Sequence, residues 1–167
     1  MAEKDSMSRK WQITINNPKE KGMTHDYIAA KVGEMKNVMY WCMADEIGEN
    51  GTYHTHIYMH GRNGIRFSTI KKRFDGGHFE MAKGTSQQNR DYVKKEGRWL
   101  NDKKHETCVD GTFEEFGECP IERQGARNDL SDLYAMIKDG MSNYDILEQN
   151  PSFMLNLDKI EHARQIV

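Results

Sequence analysis

The chain has 167 residues, enough for one domain and a short additional segment. Its net charge of −2 argues against a general nucleic-acid-binding protein, and no apolar run approaches the roughly 18–20 residues of a membrane span. Cys42, Cys108 and Cys119 are odd in number and irregularly spaced, and the N-terminus lacks the apolar stretch of a secretory signal. We therefore expect an intracellular protein with reduced thiols and no membrane partner.

The first hundred residues predict an α+β fold. Alternating or continuously apolar runs indicate strands, and stripes at helical spacing indicate helices. Their order, β-α-β-β-α-β-α, predicts an antiparallel β-sheet with flanking helices, similar to ferredoxin-like folds. The predicted strands are 11–16, 38–45, 53–61 and 78–82, and the predicted helices are 24–36, 68–74 and 85–96.

The remainder of the chain is less regular until residue 128. Residues 101–127 predict mostly loop, with one short strand at 112–116, and three helices follow at 129–138, after Ser142, and at 152–167. We expect these helices to bury little among themselves and to pack on the first domain or on a neighbouring chain. The predicted organisation is a domain at 1–110, a linker at 111–127 and a helical segment at 128–167.

A carboxylate and two histidines are predicted to meet at the central hairpin. In a strand, residues two apart point to the same face, which places the His54 and His56 backbones about 6–7 Å apart. The hairpin turn would place Glu46 beside His54. Two imidazoles and one carboxylate suit a divalent cation with open coordination positions, such as Mn²⁺ or Mg²⁺. Two alternatives stay open. One is a Zn²⁺ site that also uses Cys42, and the simpler one is that the histidines have a purely structural role.

Tyr92 and Lys95 are the candidate reacting groups. They lie three residues apart in a predicted helix and so share one face. Gln88 lies one turn earlier, where its amide can orient a phosphate or a water molecule. A phenol becomes a nucleophile when nearby positive charge stabilises the phenolate, and Lys95 and a cation would supply that charge. A tyrosine on an amphipathic helix is, however, more often a core residue.

Basic residues concentrate in one part of this otherwise neutral chain, which predicts contact with a nucleic-acid backbone. A solvated surface is the alternative. Phe67 or Trp99 could stack on an unpaired base. The basic candidates for nucleic-acid binding are Arg62, Arg66, Lys71, Lys72, Arg73 and Lys83.

Three motifs in order resemble those of the replication initiator (Rep) proteins of small circular single-stranded DNA viruses, particularly circovirus-like ones. The segment WQITINNP at 11–18 resembles their first motif, and Glu46 with His54-Thr55-His56 resembles the HUH metal site. The segment QQNRDYVKKEG at 87–97 resembles the YxxK motif, and FEMAKG at 79–84 resembles the strand and turn before it. The resemblance covers roughly residues 9–100.

The resemblance implies a ferredoxin-like HUH endonuclease for rolling-circle replication, acting in the host nucleus. It implies nicking of single-stranded DNA at an origin stem-loop, with Tyr92 as nucleophile, Lys95 as its supporting cation and Glu46, His54 and His56 as metal ligands. Thr14, Asn16 and Asn17 would serve the fold and DNA recognition. The segment from residue 124 resembles the part of these proteins that contributes to homo-oligomer assembly.

No GxxxxGK[ST] phosphate loop occurs in the 167 residues, so we expect no ATP-driven helicase here and a single-stranded or already extruded substrate. Two other functions stay open: a non-catalytic single-stranded nucleic-acid-binding module, and an assembly module built on the C-terminal helices. RNA as the substrate of an enzyme also stays open.

Overall fold

The computed structural model describes residues 5–122, 129–149 and 151–166. Residues 123–128, which include the end of the predicted linker, lie outside the described part, as does Val167. The strands are β1 (Met7–Asn16), β2 (Val38–Ile47), β3 (Tyr53–Arg66), β4 (His78–Met81) and β5 (Glu114–Phe116). The helices are α1 (His25–Gly33), α2 (Phe67–Arg73), α3 (Ser86–Lys94), α4 (Asp129–Lys138), α5 (Asn143–Gln149) and α6 (Leu157–Ile166), and 3₁₀ turns occupy Gly97–Trp99, Lys103–Thr107 and Pro151–Asn156.

The five strands form one sheet in the order β4-β1-β3-β2-β5, and every neighbouring pair is antiparallel. The first four strands have the order that a β-α-β-β-α-β chain adopts in the ferredoxin-like arrangement. This confirms the predicted α+β class with flanking helices. The added edge strand, β5, lies beside β2 and corresponds to the short strand predicted at 112–116.

The pleat of the sheet separates two faces. Odd-numbered residues of the central strands, such as Ile13, Met43 and Ile57, pack with α1 and α2 in the main apolar core. Even-numbered residues, such as Cys42 and Tyr58, pack with Val93 of α3 in a smaller cluster on the other face. The predicted histidines and Glu46 occupy even positions and therefore lie on the α3 side.

Several boundaries differ from the predicted ones, and strand pairing explains those of β1 and β3. β1 begins at Met7 and β3 continues to Arg66, because Met7 and Ser8 pair with the end of β3 beyond a bulge. α1 ends at Gly33, before the predicted residue 36. The last predicted helix begins only at Leu157, after the 3₁₀ turn.

The expectation that the C-terminal helices bury little among themselves is wrong. These helices and the 3₁₀ turn between them share a small core of Met136, Ile137, Ile146, Phe153 and Ile160. They also contact the sheet, as predicted: the Asn63 side chain bonds to Asp139, and Arg66 pairs with Asp145. None of the helices in the described ranges is long and apolar enough to cross a membrane.

Candidate active site

Strand register brings the predicted ligands together. Glu46 of β2 lies directly opposite His54 of β3, and Ala44 lies opposite His56. On the other side of β3, Thr14 and Asn16 of β1 pair with His56 and His54. The predicted hairpin and the predicted placement of Glu46 beside His54 are therefore both present.

The three candidate ligands converge on one point. Glu46 Oε1 lies 3.3 Å from His54 Nε2, and Glu46 Oε2 lies 3.3 Å from His56 Nε2. One donor atom from each residue falls within 4.8 Å of the other two. The opposite ring nitrogens are held elsewhere: His56 Nδ1 lies 3.2 Å from Thr14 Oγ1, and His54 Nδ1 lies 3.3 Å from the Thr52 carbonyl. Such contacts orient histidine rings toward a metal.

The donor chemistry fits a divalent cation. One carboxylate and two imidazoles leave coordination positions for a phosphate oxygen, as Mn²⁺ or Mg²⁺ catalysis requires. Burial raises the pKa of Glu46, but hydrogen bonds from His54 and His56 and the charge of Lys95 outweigh burial and hold the pKa well below its usual value. Cys42 does not join the cluster, and burial raises the pKa of its thiol to about 12, which disfavours a Zn²⁺-binding thiolate.

Lys95 reaches the site in an unexpected way. α3 ends at Lys94, and Lys95 caps it in the left-handed conformation (φ 59°, ψ 43°), so the predicted shared helical face with Tyr92 is wrong. The side chain is almost completely buried, with Nζ 3.0 Å from Glu46 Oε2 in an ion pair that lacks hydrogen-bond geometry. Nζ also lies 3.7 Å from the centre of the Tyr92 ring. Lys95 therefore lies close to Tyr92, as the motif predicted, but the helix cap brings the two side chains together rather than a shared helical face.

Tyr92 faces the ligand cluster and is only partly buried. Its ring lies edge-on to His56 at 5.8 Å between centroids and to Trp99 at 5.1 Å. Burial raises the pKa of Tyr92, and the carboxylates of Glu46 and Glu80 raise it further, so the resting group is a neutral phenol. A cleft of about 230 Å³ opens beside it, lined by Gln12, Thr14, His56, His78, Glu80 and Tyr92.

Comparison with known proteins identifies the family. Residues 8–96 match the Viral_Rep family of viral replication proteins. The chain belongs to the Rep proteins. It is 27% identical to the replication-associated protein of pigeon circovirus over 82% of this chain and 37% of that protein. It is 35% identical to that of beak and feather disease virus, over 53% of this chain and 29% of the relative.

A relative from another virus group is the master replication protein of banana bunchy top virus, 30% identical over 64% of this chain and 30% of that protein. The Rep chain thus spans less than half the length of the curated relatives it matches.

The other polar candidates occupy different places in this Rep fold. Asn16 is exposed beside His54, and Asn17 turns the chain after β1 with φ 50°. Gln88 lies in the α3 capping box, where its Oε1 accepts from the Thr85 N–H at 2.9 Å, and it does not line the cleft beside Tyr92. Lys83 is exposed between β4 and α3.

The basic residues of α2 do not adjoin the ligand cluster. α2 packs through Ile70 on the sheet face opposite the site. Arg66 pairs with Asp145, and Arg73 lines a cavity toward the C-terminal helices. The remaining basic candidates, Arg62, Lys71 and Lys72, are exposed. That these residues bind DNA stays a prediction, on a surface separate from the cleft.

Sequence reasoning missed His78 and Glu80 as walls of the cleft. They pair in register with Thr14 and Gln12 of β1, so the alternation of β4 would have indicated their face once that pairing was known. It also missed Lys104, whose Nζ lies 5.5 Å from the centre of the Tyr92 ring. No periodic pattern in its loop could have indicated that position.

Proposed function

We propose that this Rep protein initiates rolling-circle replication as a metal-dependent, site-specific single-stranded DNA nickase and strand transferase. The observation that carries the proposal is the convergence of Glu46, His54 and His56 beside Tyr92, with Lys95 against its ring. The family match supports the replication role. The proposed substrate is an origin stem-loop of a viral genome, and the proposed setting is the host nucleus.

The chain's own residues suit a transesterification. The Tyr92 oxygen attacks the scissile phosphorus and loses its proton, a bond from Tyr92 to phosphorus forms, and the bond to the 3′ oxygen breaks. The departing oxygen takes up a proton and becomes a free 3′-OH, while the 5′ phosphate stays on Tyr92. Attack by a 3′-OH on that ester reverses the step and joins the ends.

The polar groups around Tyr92 have distinct tasks in this reaction. Glu46, His54 and His56 would hold Mn²⁺ or Mg²⁺, which when bound polarises the phosphate as a Lewis acid. The buried Lys95 ammonium places a fixed positive charge against the phenol ring, where the phenolate develops. Thr14 fixes the ring of His56 through its Nδ1.

A gel experiment tests the nickase. The protein is incubated with stem-loop oligonucleotides of randomised loop sequence, with Mn²⁺ or with EDTA, and covalent adducts are resolved under denaturing conditions. We expect an adduct that requires Mn²⁺ and disappears in Tyr92→Phe, whereas Tyr134→Phe, an exposed tyrosine, keeps it. An undiminished adduct in Tyr92→Phe would refute the role of Tyr92, and cation-independent binding without adduct would favour a non-catalytic binding module.

Metal binding is tested separately by calorimetric titration with Mn²⁺. We expect His56→Ala to weaken binding by at least about tenfold, because one of three ligands is lost. His162→Ala, which changes an exposed histidine on α6, serves as the control. Equal Mn²⁺ affinity of the two variants would exclude His56 as a ligand.

A further inference from the structure

Residues 97–109, here called the covering segment, place two side chains, those of Trp99 and Lys104, against the ring of Tyr92. The Trp99 ring is 5.1 Å from the Tyr92 ring at an interplanar angle of 72°. Lys104 Nζ lies 5.5 Å from the Tyr92 ring centre and 5.3 Å from that of Trp99. The segment follows the part that matches the family, residues 8–96, so membership assigns it no role.

The covering segment follows α3 directly and is held to β2 at its far end. At its start, the Trp99 N–H donates to the Glu96 carbonyl at 3.1 Å. At its end, Cys108 forms a β-bridge with Glu46, and the Val109 N–H donates to the Asp45 carbonyl at 3.0 Å. Between them, the Lys104 N–H donates to Asp102 Oδ1 at 2.8 Å, which begins the second 3₁₀ turn. The segment is therefore tied at its end to the strand that carries Glu46.

The ammonium groups of Lys95 and Lys104 thus both lie against the ring of Tyr92, but they differ in whether a carboxylate already pairs with them. Lys95 is buried and paired with Glu46. Lys104 is exposed, and among the described side chains no carboxylate forms an ion pair with it. An exposed cation that lies over the ring of the candidate nucleophile and has no acidic partner among the described side chains is suited to bind an anion beside that tyrosine.

We propose that Lys104 binds the DNA phosphate that Tyr92 attacks and then carries, and that Trp99 holds the Tyr92 ring in the orientation for attack. The inference rests on the proposed nickase function and adds a phosphate-binding residue and a positioning residue to it. Lys104 keeps its protons throughout, so the bond changes remain those given above. Because the phosphate stays on Tyr92 after the 3′ end departs, the same contact serves nicking and joining.

The first test measures adduct formation in single-turnover reactions with Mn²⁺ and the stem-loop oligonucleotide that reacts fastest in the gel experiment. We expect Lys104→Met to slow the reaction about tenfold, which is the size of one charge-assisted hydrogen bond. Lys104→Arg should retain most of the rate, and Lys103→Met, the matched change at the neighbouring exposed lysine, should leave it unchanged. Equal rates for Lys104→Met and Lys103→Met would overturn the assignment.

A second test measures binding alone and does not require that the protein cleaves DNA. Equilibrium binding in Mn²⁺ compares oligothymidylate with a 5′ phosphate to the same oligomer with a 5′ hydroxyl. We expect the chain and Lys103→Met to prefer the phosphorylated oligomer, and Lys104→Met to lose most of that preference. If Lys104→Met still prefers the phosphorylated oligomer, the phosphate contact is refuted, whether or not an adduct forms in the first test. If Lys104→Met loses the preference but the unmodified chain forms no adduct, only the nickase function is refuted.

The positioning role of Trp99 is tested by comparing how its substitution changes the rate of adduct formation and the affinity for the oligonucleotide. We expect Trp99→Ala to slow adduct formation severalfold while oligonucleotide affinity changes little, because a misoriented nucleophile affects the reaction more than binding. Trp99→Phe keeps a ring against Tyr92 and should restore most of the rate. A parallel loss of affinity and rate, or no rescue by phenylalanine, would refute the positioning role.

Discussion

Single residues in unusual surroundings give the site its geometry, and Lys95 is the clearest case. A non-glycine residue at φ 59° places its Cβ against the following carbonyl. The conformation persists because the side chain packs between Glu46 and Tyr92. The site therefore contains one backbone position whose strain is balanced by a buried ion pair.

The cost of that conformation can be measured. We expect Lys95→Gly to be more stable than Lys95→Ala by about 1 kcal/mol, since both remove the side chain but only glycine accepts the left-handed region freely. At Lys94, within α3, the order should reverse by a similar amount. Urea unfolding of the four variants checks this. A more stable Ala variant at position 95 would show that α3 ends differently.

His60 is a buried imidazole outside the ligand cluster. It is 5% exposed, and its Nδ1 lies 2.7 Å from Ser86 Oγ. Burial and the charges of Arg9 and Lys10 lower its pKa to about 4, against a smaller raising effect of Glu122. The folded state therefore favours the neutral ring.

This histidine predicts acid sensitivity. As pH falls from about 6.5 towards 4, the unfolded chain takes up a proton at this histidine before the folded chain does, so stability is lost in that window. Between pH 7 and pH 5, we expect the free energy of unfolding to fall by about 2 kcal/mol less in His60→Asn than in the unmodified chain. Urea unfolding at both values measures it, with His162→Asn as control. Equal losses in all three proteins would contradict the prediction.

At the scale of elements, the short strand β5 depends on side-chain contacts with its neighbours. Glu115 accepts hydrogen bonds from Arg90 Nε and Nη2 of α3 at 2.8 and 2.9 Å, and from the Tyr40 hydroxyl of β2 at 2.7 Å. The Arg90 hydrogen bonds, helped by Tyr40, lower the pKa of Glu115 to about 2. One carboxylate thus joins two strands and a helix.

Removing that charge should loosen the edge of the sheet. We expect Glu115→Gln to lose about 1 kcal/mol at neutral pH, a value reduced by partial solvent screening, and to speed amide exchange in β5. The difference should vanish as pH falls from about 4.5 towards 2, because the native carboxyl is then protonated too. Glu118→Gln changes an exposed neighbour as control. Unaltered exchange in β5 would show that backbone pairing alone holds it.

The elements also show what sequence can and cannot supply. Alternation placed His54 and His56 on one face, and the hairpin turn set Glu46 beside them, because strand register follows from local pattern. The ion pair that Lys95 makes as the cap of α3 was not predictable, since its partner Glu46 is distant in the sequence. Charge pattern identified the basic residues of α2 but not the sheet face they occupy, which depends on how Ile70 packs.

At the scale of the whole molecule, the C-terminal helices form a second core that leaves apolar side chains on the surface. Tyr134, Tyr144, Met154 and Ile166 are each more than half exposed. The sequence predicted helices here but underestimated their shared core, because apolar residues contributed by separate helices and a 3₁₀ turn show no single period. On this surface we base the proposal that the chain forms a homo-oligomer through its C-terminal helices, as the resemblance implied.

Light scattering tests that proposal. We expect the full chain to self-associate with rising concentration and a fragment of residues 1–122, which retains all five strands, to stay monomeric. The fragment should still form the DNA adduct, because the ligands, Tyr92 and the covering segment are all within it. Identical masses per chain would exclude the helices as the interface. Loss of the adduct only on truncation would instead favour the assembly module.

The β-bridge between Glu46 and Cys108 has a practical consequence. A protein trimmed at residue 96, where the family match stops, would keep the candidate metal ligands and Tyr92 but lose Trp99 and Lys104, which lie beside the Tyr92 ring. Such a trimmed protein could still bind a cation and DNA while reacting poorly. A shortened version of this chain should therefore end after β5 rather than at residue 96.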